Sequence, residues 1–426
     1  MSDEKAPIPF ARPFIGKEEE DAVLRVLRSG WLTTGQEALA FENEFTDFLN
    51  SPQRNFSSRT QITHLHCFAV NSATSGLHLA LDACGIRRGD LVLVPSYTFT
   101  STAEVIRYIG AEPVFVDVAP GGFHIDPNAL EAALEKLSRN KGGVSGALKG
   151  QPAAIMPVHI GGLPCNMPAI MEIARRYNCK VIEDAAHSFP SLVSGAHGTA
   201  DSCADPRFAG TIGDAGVFSF YATKTITTGE GGMVVCRDKK IADRIAIMRS
   251  HGIDRSVWNR YTDTKASWYY EVVEAGFKYN LPDILAALGR VQLSRAWDLL
   301  KMRQDIAARY NDAFINDRHF ILPPSGSGNA WHLYPLRLRA ETLAINRDEF
   351  IQKIQKAGIG VSVHFIPLHT MPYYKKTYRL RDEDFPESLT TFKQTISLPI
   401  WPGMTEAEVS RVIDVVKAAA EAYNKR

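Results

Sequence analysis

The sequence predicts an α/β protein, with a large domain whose mainly parallel sheet is covered by helices and a smaller α/β domain after it. Short segments that are apolar throughout recur between residues 68 and 236, and stretches with helical spacing separate most of them. Such strands are typical of a parallel sheet that is buried on both faces. A Pro-, Gly- and Ser-rich stretch at 323–329 precedes a second group of strand-like and helix-like segments. We expect the large domain over residues 1–290 and the small domain over 291–426.

The predicted elements of the large domain alternate between strand and helix. Two helices come first, at 17–29 and 36–49, and a polar loop follows at 50–61. The functional residues of such a sheet lie at the carboxyl ends of its strands, so the predicted strand ends indicate where to look for the site. The strand and helix pairs are predicted at 68–70 and 75–84, 91–94 and 101–109, 113–116 and 127–137, and 153–158 and 167–177. Further strands are predicted at 181–182, from 218 and at 233–236, with a long glycine-rich loop at 191–216.

The small domain is predicted to follow a long helix over 282–310. Its strands are expected within 331–338 and 361–365, and its helices at 346–357 and 405–424.

Composition narrows the class of protein. The 426 residues are 45% hydrophobic and 22% charged, which is an ordinary globular composition. The net charge of +1 and the absence of an apolar run of transmembrane length predict neither nucleic acid nor a membrane as partner, and no signal peptide is predicted. Six scattered cysteines without a Cys-x-x-Cys motif indicate reduced thiols and a cytoplasmic protein. These are Cys67, Cys84, Cys165, Cys179, Cys203 and Cys236.

One lysine lies between two apolar strands. Lys224 follows the strand that begins at Phe218, and a glycine turn and the strand Met233–Cys236 come after it. Burial lowers the pKa of a lysine and makes its amine a usable nucleophile, as Schiff-base chemistry with pyridoxal phosphate requires. Ser219 lies five residues before Lys224, close enough to hold a cofactor phosphate. Taken alone, a solvated lysine in a loop is the commoner case.

The segment Asn71–Gly76 follows a strand and opens a helix. Small and hydroxyl side chains there leave backbone N–H groups free at the positive end of a helix, which suits a phosphate. An ordinary helix cap by Ser72 or Thr74 uses the same residue types, so the segment alone leaves both interpretations open. It is not a dinucleotide-binding fingerprint, because no G-x-G-x-x-G follows a strand.

Two more strand ends carry candidate residues. Glu183 and Asp184 end one strand, where a carboxylate can hold a proton on a pyridine nitrogen, although a helix-capping aspartate is the commoner case. His187 follows as a core residue or a cofactor contact. Tyr97 and Phe99 end another strand, where a flat ring can stack on a cofactor ring or simply pack in the core.

A metal site is a weaker hypothesis. His64 and His66 share one face of a strand, and Cys67 is adjacent. Structural zinc sites space their ligands closely, and no fourth ligand lies nearby, so ordinary strand positions are favoured and no metal is expected.

These segments together match one family in order and spacing. The sequence resembles the DegT/DnrJ/EryC1/StrS sugar aminotransferases, which have the type I pyridoxal-phosphate fold of aspartate aminotransferase. The resemblance extends from about Ile8 to Tyr423. Its most specific part is Ser-x-x-x-x-Lys, from Ser219 to Lys224, followed by Thr-Gly-Glu-Gly-Gly.

The resemblance implies pyridoxal 5'-phosphate as cofactor and assigns three catalytic residues. Lys224 would bind the cofactor aldehyde and later shuttle a proton. Asp184 would pair with the pyridine nitrogen. His187 takes the place of the family's Gln or His beside the cofactor.

The same resemblance assigns the cofactor-binding positions. Ala73, Thr74 and Ser219 match those that hold the phosphate. Phe99 matches the aromatic residue that stacks on the ring, with Tyr97 as the second choice.

One segment departs from the family pattern. Where the family often has Gly-Tyr-Asn-Tyr-Arg, with the partner subunit reaching the phosphate, this chain has Gly276-Phe277-Lys278-Tyr279-Asn280. A lysine can meet a phosphate as a point charge. Both Lys278 and Asn280 are therefore candidates for the contact from the partner.

The implied protein is a homodimer with shared active sites. Its implied reaction moves an amino group from glutamate to a keto-sugar nucleotide, with a 4-keto-6-deoxy sugar as the favoured acceptor. Sugar dehydratases of the family are disfavoured, because they replace the lysine at position 224 with histidine. A non-catalytic binding protein is disfavoured because Lys224, Asp184 and Ser219 are all present. An amino-acid transaminase or lyase of the same fold stays open, since it needs an arginine for the substrate carboxylate. Candidates for that arginine are Arg337, Arg339 and Arg379.

Overall fold

A computed structural model describes residues 6–50, 64–139, 150–193, 207–254, 269–324, 326 and 328–425. Residues 51–61 of the predicted loop at 50–61 and half of the predicted loop at 191–216, residues 194–206, fall outside the described residues. Within the described part, a large sheet of seven strands carries helices on both faces, and a second sheet of three strands lies in the C-terminal region. The structure therefore has the predicted α/β class.

The large sheet is mainly parallel. Its strands are β1 (His66–Val70), β2 (Leu91–Pro95), β3 (Glu112–Val116), β4 (Pro152–Ile155), β5 (Lys180–Asp184), β8 (Ala215–Ser219) and β9 (Gly232–Cys236). They lie in the order β1-β9-β8-β5-β4-β2-β3. Only β9 among these seven runs against its neighbours, so the carboxyl ends of the other six lie at one edge. Two short strands, β6 (Leu192–Val193) and β7 (Arg207–Phe208), pair with each other.

The first six helices of the large region begin and end close to their predicted bounds, and the seventh was not predicted. They are α1 (Lys17–Ser29), α2 (Gln36–Asn50), α3 (Ala73–Ala83), α4 (Ser101–Tyr108), α5 (Pro127–Arg139), α6 (Met167–Arg176) and α7 (Lys239–Met248).

Side-chain alternation along the strands builds a core on each face of the sheet. In β2, Val92 and Val94 pack with α3 and α4, whereas Leu91 and Leu93 pack with α5 and α6. Gly76 lets α3 lie close to the sheet, because a Cβ atom there would lie 2.7 Å from a methyl of Val217. The large sheet is thus buried on both faces, as strands apolar throughout predict.

The predicted helix over 282–310 is wrong in one respect. Two helices occupy it, α8 (Asp283–Ser294) and α9 (Ala296–Phe314), and Arg295 between them leaves helical geometry at φ −104° and ψ 6°. The guanidinium of Arg295 donates to Glu19 over 2.8 Å and lies over the ring of Phe14. Both contacts join Arg295 to a segment that is far away in the sequence. Helical periodicity continues across the break, so the sequence pattern does not reveal it.

The C-terminal region has its own sheet and core. Its strands are β10 (Phe320–Ile321), β11 (Tyr334–Leu338) and β12 (Thr395–Leu398), all antiparallel. The helices there are α10 (Arg347–Lys356), α11 (Pro372–Tyr378), α12 (Pro386–Gln394) and α13 (Glu406–Ala422). Ile8 at the start of the chain pairs with Ile359 and is buried in this core. The boundary at residue 290 stays a prediction, and it falls inside α8.

Candidate active site

A cavity of about 370 Å³ lies at the carboxyl edge of the large sheet. Segments after β1, β2, β5 and β8 contribute to it, as does the turn that precedes β9. Seven of the predicted site residues line it, namely Ala73, Thr74, Phe99, Asp184, His187, Ser219 and Lys224. Parallel strands thus bring together residues that are far apart in the sequence.

Lys224 lies in the turn after β8. Its backbone N–H donates to the carbonyl of Tyr221 over 2.9 Å, which fixes the turn. The side chain is largely buried, and its Nζ atom forms no hydrogen bond or ion pair with any described residue. Burial lowers the pKa of Lys224 to about 7, and the negative charge of Asp184 offsets part of that effect. A large share of Lys224 is therefore free amine near neutral pH, as a nucleophile requires.

Asp184 ends β5 and is 4% exposed. The hydroxyl of Thr102 donates to its Oδ2 atom over 2.9 Å, and the N–H of Ala186 donates to Oδ1 over 3.1 Å. Burial raises the pKa of Asp184, while these two hydrogen bonds and the charge of Lys224 act in the opposite direction. Each carboxylate oxygen has more than one lone pair, so a further N–H donor from a ligand can still be accepted.

The neighbouring Glu183 has a structural role instead. Its carboxylate accepts the N–H groups of Gly210, Ile212 and Gly213 over 2.6–2.8 Å and the Nε2 of His159 over 3.0 Å. Burial alone would raise the pKa of Glu183, but these hydrogen bonds outweigh it and the pKa is lowered. Glu183 thus holds the segment before β8, and Asp184 alone of the pair faces the cavity.

His187 lies beside Lys224 in a fixed tautomer. The backbone N–H of Gly161 donates to its Nδ1 over 3.3 Å, so the proton of the neutral ring is on Nε2. Burial holds the pKa of His187 well below its usual range, and the positive charges of Lys224 and His364 lower it further. The ring therefore stays neutral near pH 7.

The phosphate-binding prediction falls at the start of α3. Ser72 caps this helix by accepting the N–H of Ser75 over 3.1 Å, and Ala73 and Thr74 follow, where a helix leaves its first N–H groups without carbonyl partners. Ser219 lies opposite and is 8% exposed. At Gly232, a Cβ atom would lie 2.8 Å from the backbone N of Ala73, so only glycine leaves this cradle open.

The two aromatic candidates have different surroundings. Phe99 lines the cavity and is 56% exposed, with its ring 5.8 Å from that of Phe365. Tyr97 is fully buried and donates its hydroxyl to the carbonyl of His364 over 2.5 Å. Phe99 is therefore the ring that a planar ligand can reach, and its stacking stays a prediction.

Lys278 and Asn280 do not line the cavity of their own chain. Lys278 donates its Nζ to the side-chain oxygen of Asn280 over 2.6 Å, and Asn280 donates to Thr34. Their predicted role concerns the cavity of a partner subunit, and it stays a prediction. The other predicted site residues converge within one chain.

The metal hypothesis has no support in the geometry. His66 and Cys67 are paired with β9 as ordinary residues of β1. Within the described ranges, no group of three or more His, Cys, Asp or Glu side chains could hold a metal ion.

Sequence reasoning missed several residues of the site. His332, His364 and Phe365 line the cavity from beyond residue 330, and Thr102 reaches Asp184 from α4. His332 and His364 lie in segments where the apolar pattern indicates only strands. A histidine inside an otherwise apolar segment was the one available signal.

The residues present fit pyridoxal phosphate. A free amine, a buried carboxylate, a helix start with a hydroxyl opposite, and an accessible ring surround one cavity. The amine suits the aldehyde of that cofactor, and the carboxylate suits its pyridine nitrogen. The helix start and the hydroxyl suit its phosphate, and the accessible ring suits its ring face.

The family was tested by comparison with known proteins. The model of the DegT/DnrJ/EryC1/StrS aminotransferase family matches residues 13–417.

This chain belongs to that family.

Curated relatives match over nearly the whole chain. Protein MJ1066 of Methanocaldococcus jannaschii is 41% identical over 412 residues, which cover 96% of this chain and 97% of the relative. The spore coat polysaccharide biosynthesis protein SpsC of Bacillus subtilis is 40% identical over 413 residues, covering 96% of each.

Solved structures agree with the family assignment. Spr1654 of Streptococcus pneumoniae, assigned as a sugar aminotransferase and solved in its PMP form, has a TM-score of 0.81 and 28% identity, covering 97% of this chain and 99% of that one. Helicobacter pylori PseC, an aminotransferase of pseudoaminic acid biosynthesis, has a TM-score of 0.80 and 25% identity, covering 98% and 100%. The fold is thus that of pyridoxal-phosphate-dependent aminotransferases, and the protein is a pyridoxal-phosphate-dependent transaminase of a sugar aminotransferase family.

Across the residues that the structure describes, no helix combines the length and the apolar character needed to cross a membrane.

Proposed function

We propose that the protein transfers the amino group of glutamate to the keto group of a sugar nucleotide, with a nucleoside-diphosphate-linked 4-keto-6-deoxyhexose as acceptor, in amino-sugar and surface-polysaccharide biosynthesis. The observation that carries the proposal is one cavity that holds both Lys224, whose pKa is lowered by burial, and the buried carboxylate of Asp184. The spore coat polysaccharide name of SpsC and the aminotransferase PseC support a sugar as the acceptor.

The residues divide the chemistry among them. When bound, pyridoxal phosphate stores the amino group and withdraws electrons from the substrate carbon. Asp184 holds a proton at the pyridine nitrogen, because a buried carboxylate favours a positive partner. Lys224, a free amine near neutral pH, moves the proton at the substrate carbon. The N–H groups at the start of α3 and the hydroxyl of Ser219 hold the phosphate.

The arginines that an amino-acid enzyme would need lie elsewhere. Arg339 donates its Nε to the carbonyl of Phe320, and Arg379 lines a separate cavity of about 630 Å³ beside β3. Arg337 is buried in β11 and is absent from the lining. The described lining thus offers no arginine to the carboxylates of glutamate or of any other amino acid, so the choice of a sugar as acceptor rests on the relatives SpsC and PseC.

We further propose a cytoplasmic homodimer in which each subunit completes the other's site. Val272 and Val273, close to the 276–280 segment, are 62% and 56% exposed. Neighbouring apolar side chains left in water are typical of a surface that another chain covers.

The test is an acceptor screen. Protein loaded with cofactor and given glutamate should aminate one or more keto-sugar nucleotides, and the screen would also tell amination at C3 from amination at C4. The Lys224→Ala variant should fold and lose both the lysine–cofactor absorbance and the turnover. Turnover confined to keto acids, or retained by Lys224→Ala, would contradict the proposal.

A further inference from the structure

His332 is a buried side chain of the cavity that the proposed chemistry does not use. It is 5% exposed, and its Nδ1 atom has no hydrogen-bond partner among the described residues. Its ring centroid lies 4.4 Å from that of His187. A buried polar atom without a partner is costly, so it points to a ligand that completes the site.

The two neighbouring imidazoles, whose ring planes are tilted by 56°, differ in what they can still bind. His187 already accepts the N–H of Gly161 at its Nδ1 atom. No hydrogen bond to a described residue engages either nitrogen of His332. His187 thus keeps only its Nε2 proton for a bound molecule, whereas both nitrogens of His332 lack a partner among the described residues.

The backbone around His332 is held in a strained turn. Trp331 has φ +47°, in the left-handed region that a non-glycine residue rarely adopts. The N–H of Ala330 donates to the carbonyl of Gly162 over 2.9 Å, and that of Leu333 donates to the carbonyl of Gly161 over 3.1 Å. The same glycine turn therefore fixes both His187 and the segment that carries His332.

Arg303 adds a second brace from α9. It is 2% exposed, and its Nη1 donates to the carbonyls of Trp331 and His332, each over 3.3 Å, and of Ile400 over 2.7 Å. Burial lowers the pKa of Arg303 to about 9, which is a cost for the fold. The guanidinium of Arg303 thus fixes the backbone at Trp331 and His332, and this backbone sets the position of the His332 ring.

We propose that His332 binds a hydroxyl group of the acceptor sugar and that Arg303 is the residue that positions it. The proposal rests on the proposed function, since it concerns the sugar half of the reaction.

The charge state favours a hydroxyl over a carboxylate as the ligand. Burial holds the pKa of His332 well below its usual range, and a proton on His187 or Lys224 would lower it further, so the ring is neutral near pH 7. A neutral imidazole has one donor and one acceptor nitrogen, which matches a hydroxyl. It offers a carboxylate only a neutral donor.

The test compares His332→Leu with His332→Asn in two separate half-reactions. The donor half-reaction, followed by the absorbance change with glutamate, should stay within about 3-fold for both variants. The sugar half-reaction should slow, or its KM rise, on the order of 10-fold for His332→Leu, as expected for one lost hydrogen bond. The asparagine variant should recover part of that loss. His124→Asn is the matched control, because its Nε2 is also buried without a partner in the described chain but lies outside the cavity.

Arg303→Lys tests the positioning role through a double-mutant cycle. On the wild-type background it should impair the sugar half-reaction in the same direction as His332→Leu. On the His332→Leu background it should add nothing, because its effect passes through His332. Melting temperatures measure any structural loss separately.

Three results separate the possible failures. A His332→Leu variant as fast with sugar as wild type would overturn this proposal alone. Equal slowing of both half-reactions would also overturn it, because His332 would then serve the cofactor or the scaffold. Wild-type protein that reacts with glutamate but aminates no keto-sugar nucleotide would overturn the proposed function, and a donor half-reaction slowed in His332→Leu would overturn this proposal even then.

Discussion

Lys224 and Asp184 act on each other through the same buried cavity. Burial removes water from both, so it lowers the pKa of the lysine and raises that of the aspartate. Each charge partly offsets the effect of burial on the other. Both groups therefore titrate closer to neutral pH than they would in water, which suits proton transfer at that pH.

The rate of cofactor capture should report the pKa of Lys224. Only the free amine attacks an aldehyde, and its pKa is about 7 in the folded protein against 10.5 ordinarily. Apo-protein mixed with pyridoxal phosphate should react faster as pH rises through about 7 and then level off. A rate that still climbs steeply above about pH 8, as for an exposed lysine, would contradict the assignment.

The same shift has a consequence for the stability of the apo-protein. Between pH 7 and 10.5 the unfolded chain holds a proton on Lys224 that the folded chain has released. The contribution of Lys224 to the free energy of unfolding should therefore rise with pH across this window. Lys224→Met should remove that part of the pH dependence in denaturant titrations.

Asp184→Asn should separate charge from shape. The amide keeps the size of the side chain but cannot hold the positive charge of a protonated pyridine. Cofactor should still bind in part, while both half-reactions slow on the order of 100-fold or more, as for other lost electrostatic contacts of this kind. Normal rates in stopped-flow absorbance would mean that Asp184 only fixes the turn after β5 through its hydrogen bond from Ala186.

The strand ends explain why much of the site is predictable. Continuous apolar strands indicate a parallel sheet, and such a sheet gathers the residues that follow its strands, including Thr74, Asp184 and Lys224. His332 and His364 could not be found in this way, because they reach the cavity through the packing of the C-terminal region. The hydrogen bond from Thr102 to Asp184 likewise depends on how α4 lies on the sheet.

Gly232→Ala should damage the phosphate cradle at the level of packing. The new Cβ would lie 2.8 Å from both the backbone N of Ala73 and the carbonyl oxygen of Phe218, and neither backbone can move freely. We expect a loss of about 1–3 kcal/mol in the free energy of unfolding and weaker cofactor retention. Gly16→Ala is the control, since its Cβ would meet its nearest neighbour at an ordinary 3.4 Å. Equal behaviour of the two variants in thermal melts and cofactor titrations would refute the packing argument.

At the scale of the whole molecule, the beginning and the end of the chain belong together. Ile8 pairs with Ile359, and Trp401 donates its Nε1 to the carbonyl of Pro9 over 3.3 Å. The sequence analysis assigns residues 1–290 to one domain, whereas Ile8 packs in the core of the C-terminal region. Local sequence patterns do not predict such contacts, because the two segments are about 350 residues apart. The division at 290 remains a prediction that limited proteolysis can test.

Lys278 is predicted to act across the dimer interface. In its own chain it bonds to Asn280 and lies outside the cavity. We expect Lys278 to make a charge-assisted contact with the cofactor phosphate bound in the partner subunit. Lys278→Ala should lose this contact and weaken cofactor retention about 10- to 100-fold. Mixed dimers of Lys224→Ala and Lys278→Ala subunits hold one site with both lysines, which should regain cofactor affinity. Confirmed heterodimers without recovery would show that Lys278 serves its own subunit or no cofactor at all.

The central claim is that one cavity passes an amino group from glutamate to a sugar. Its most direct test follows the nitrogen atom itself. Cofactor-loaded protein is given glutamate with an isotope-labelled amino group and then a keto-sugar nucleotide, and the products are analysed by mass spectrometry. We predict label on the sugar carbon that carried the ketone, with 2-oxoglutarate released in equal amount, and no label with Lys224→Ala. Release of 2-oxoglutarate with the label recovered as ammonia, or on a keto acid but never on a sugar, would contradict the account.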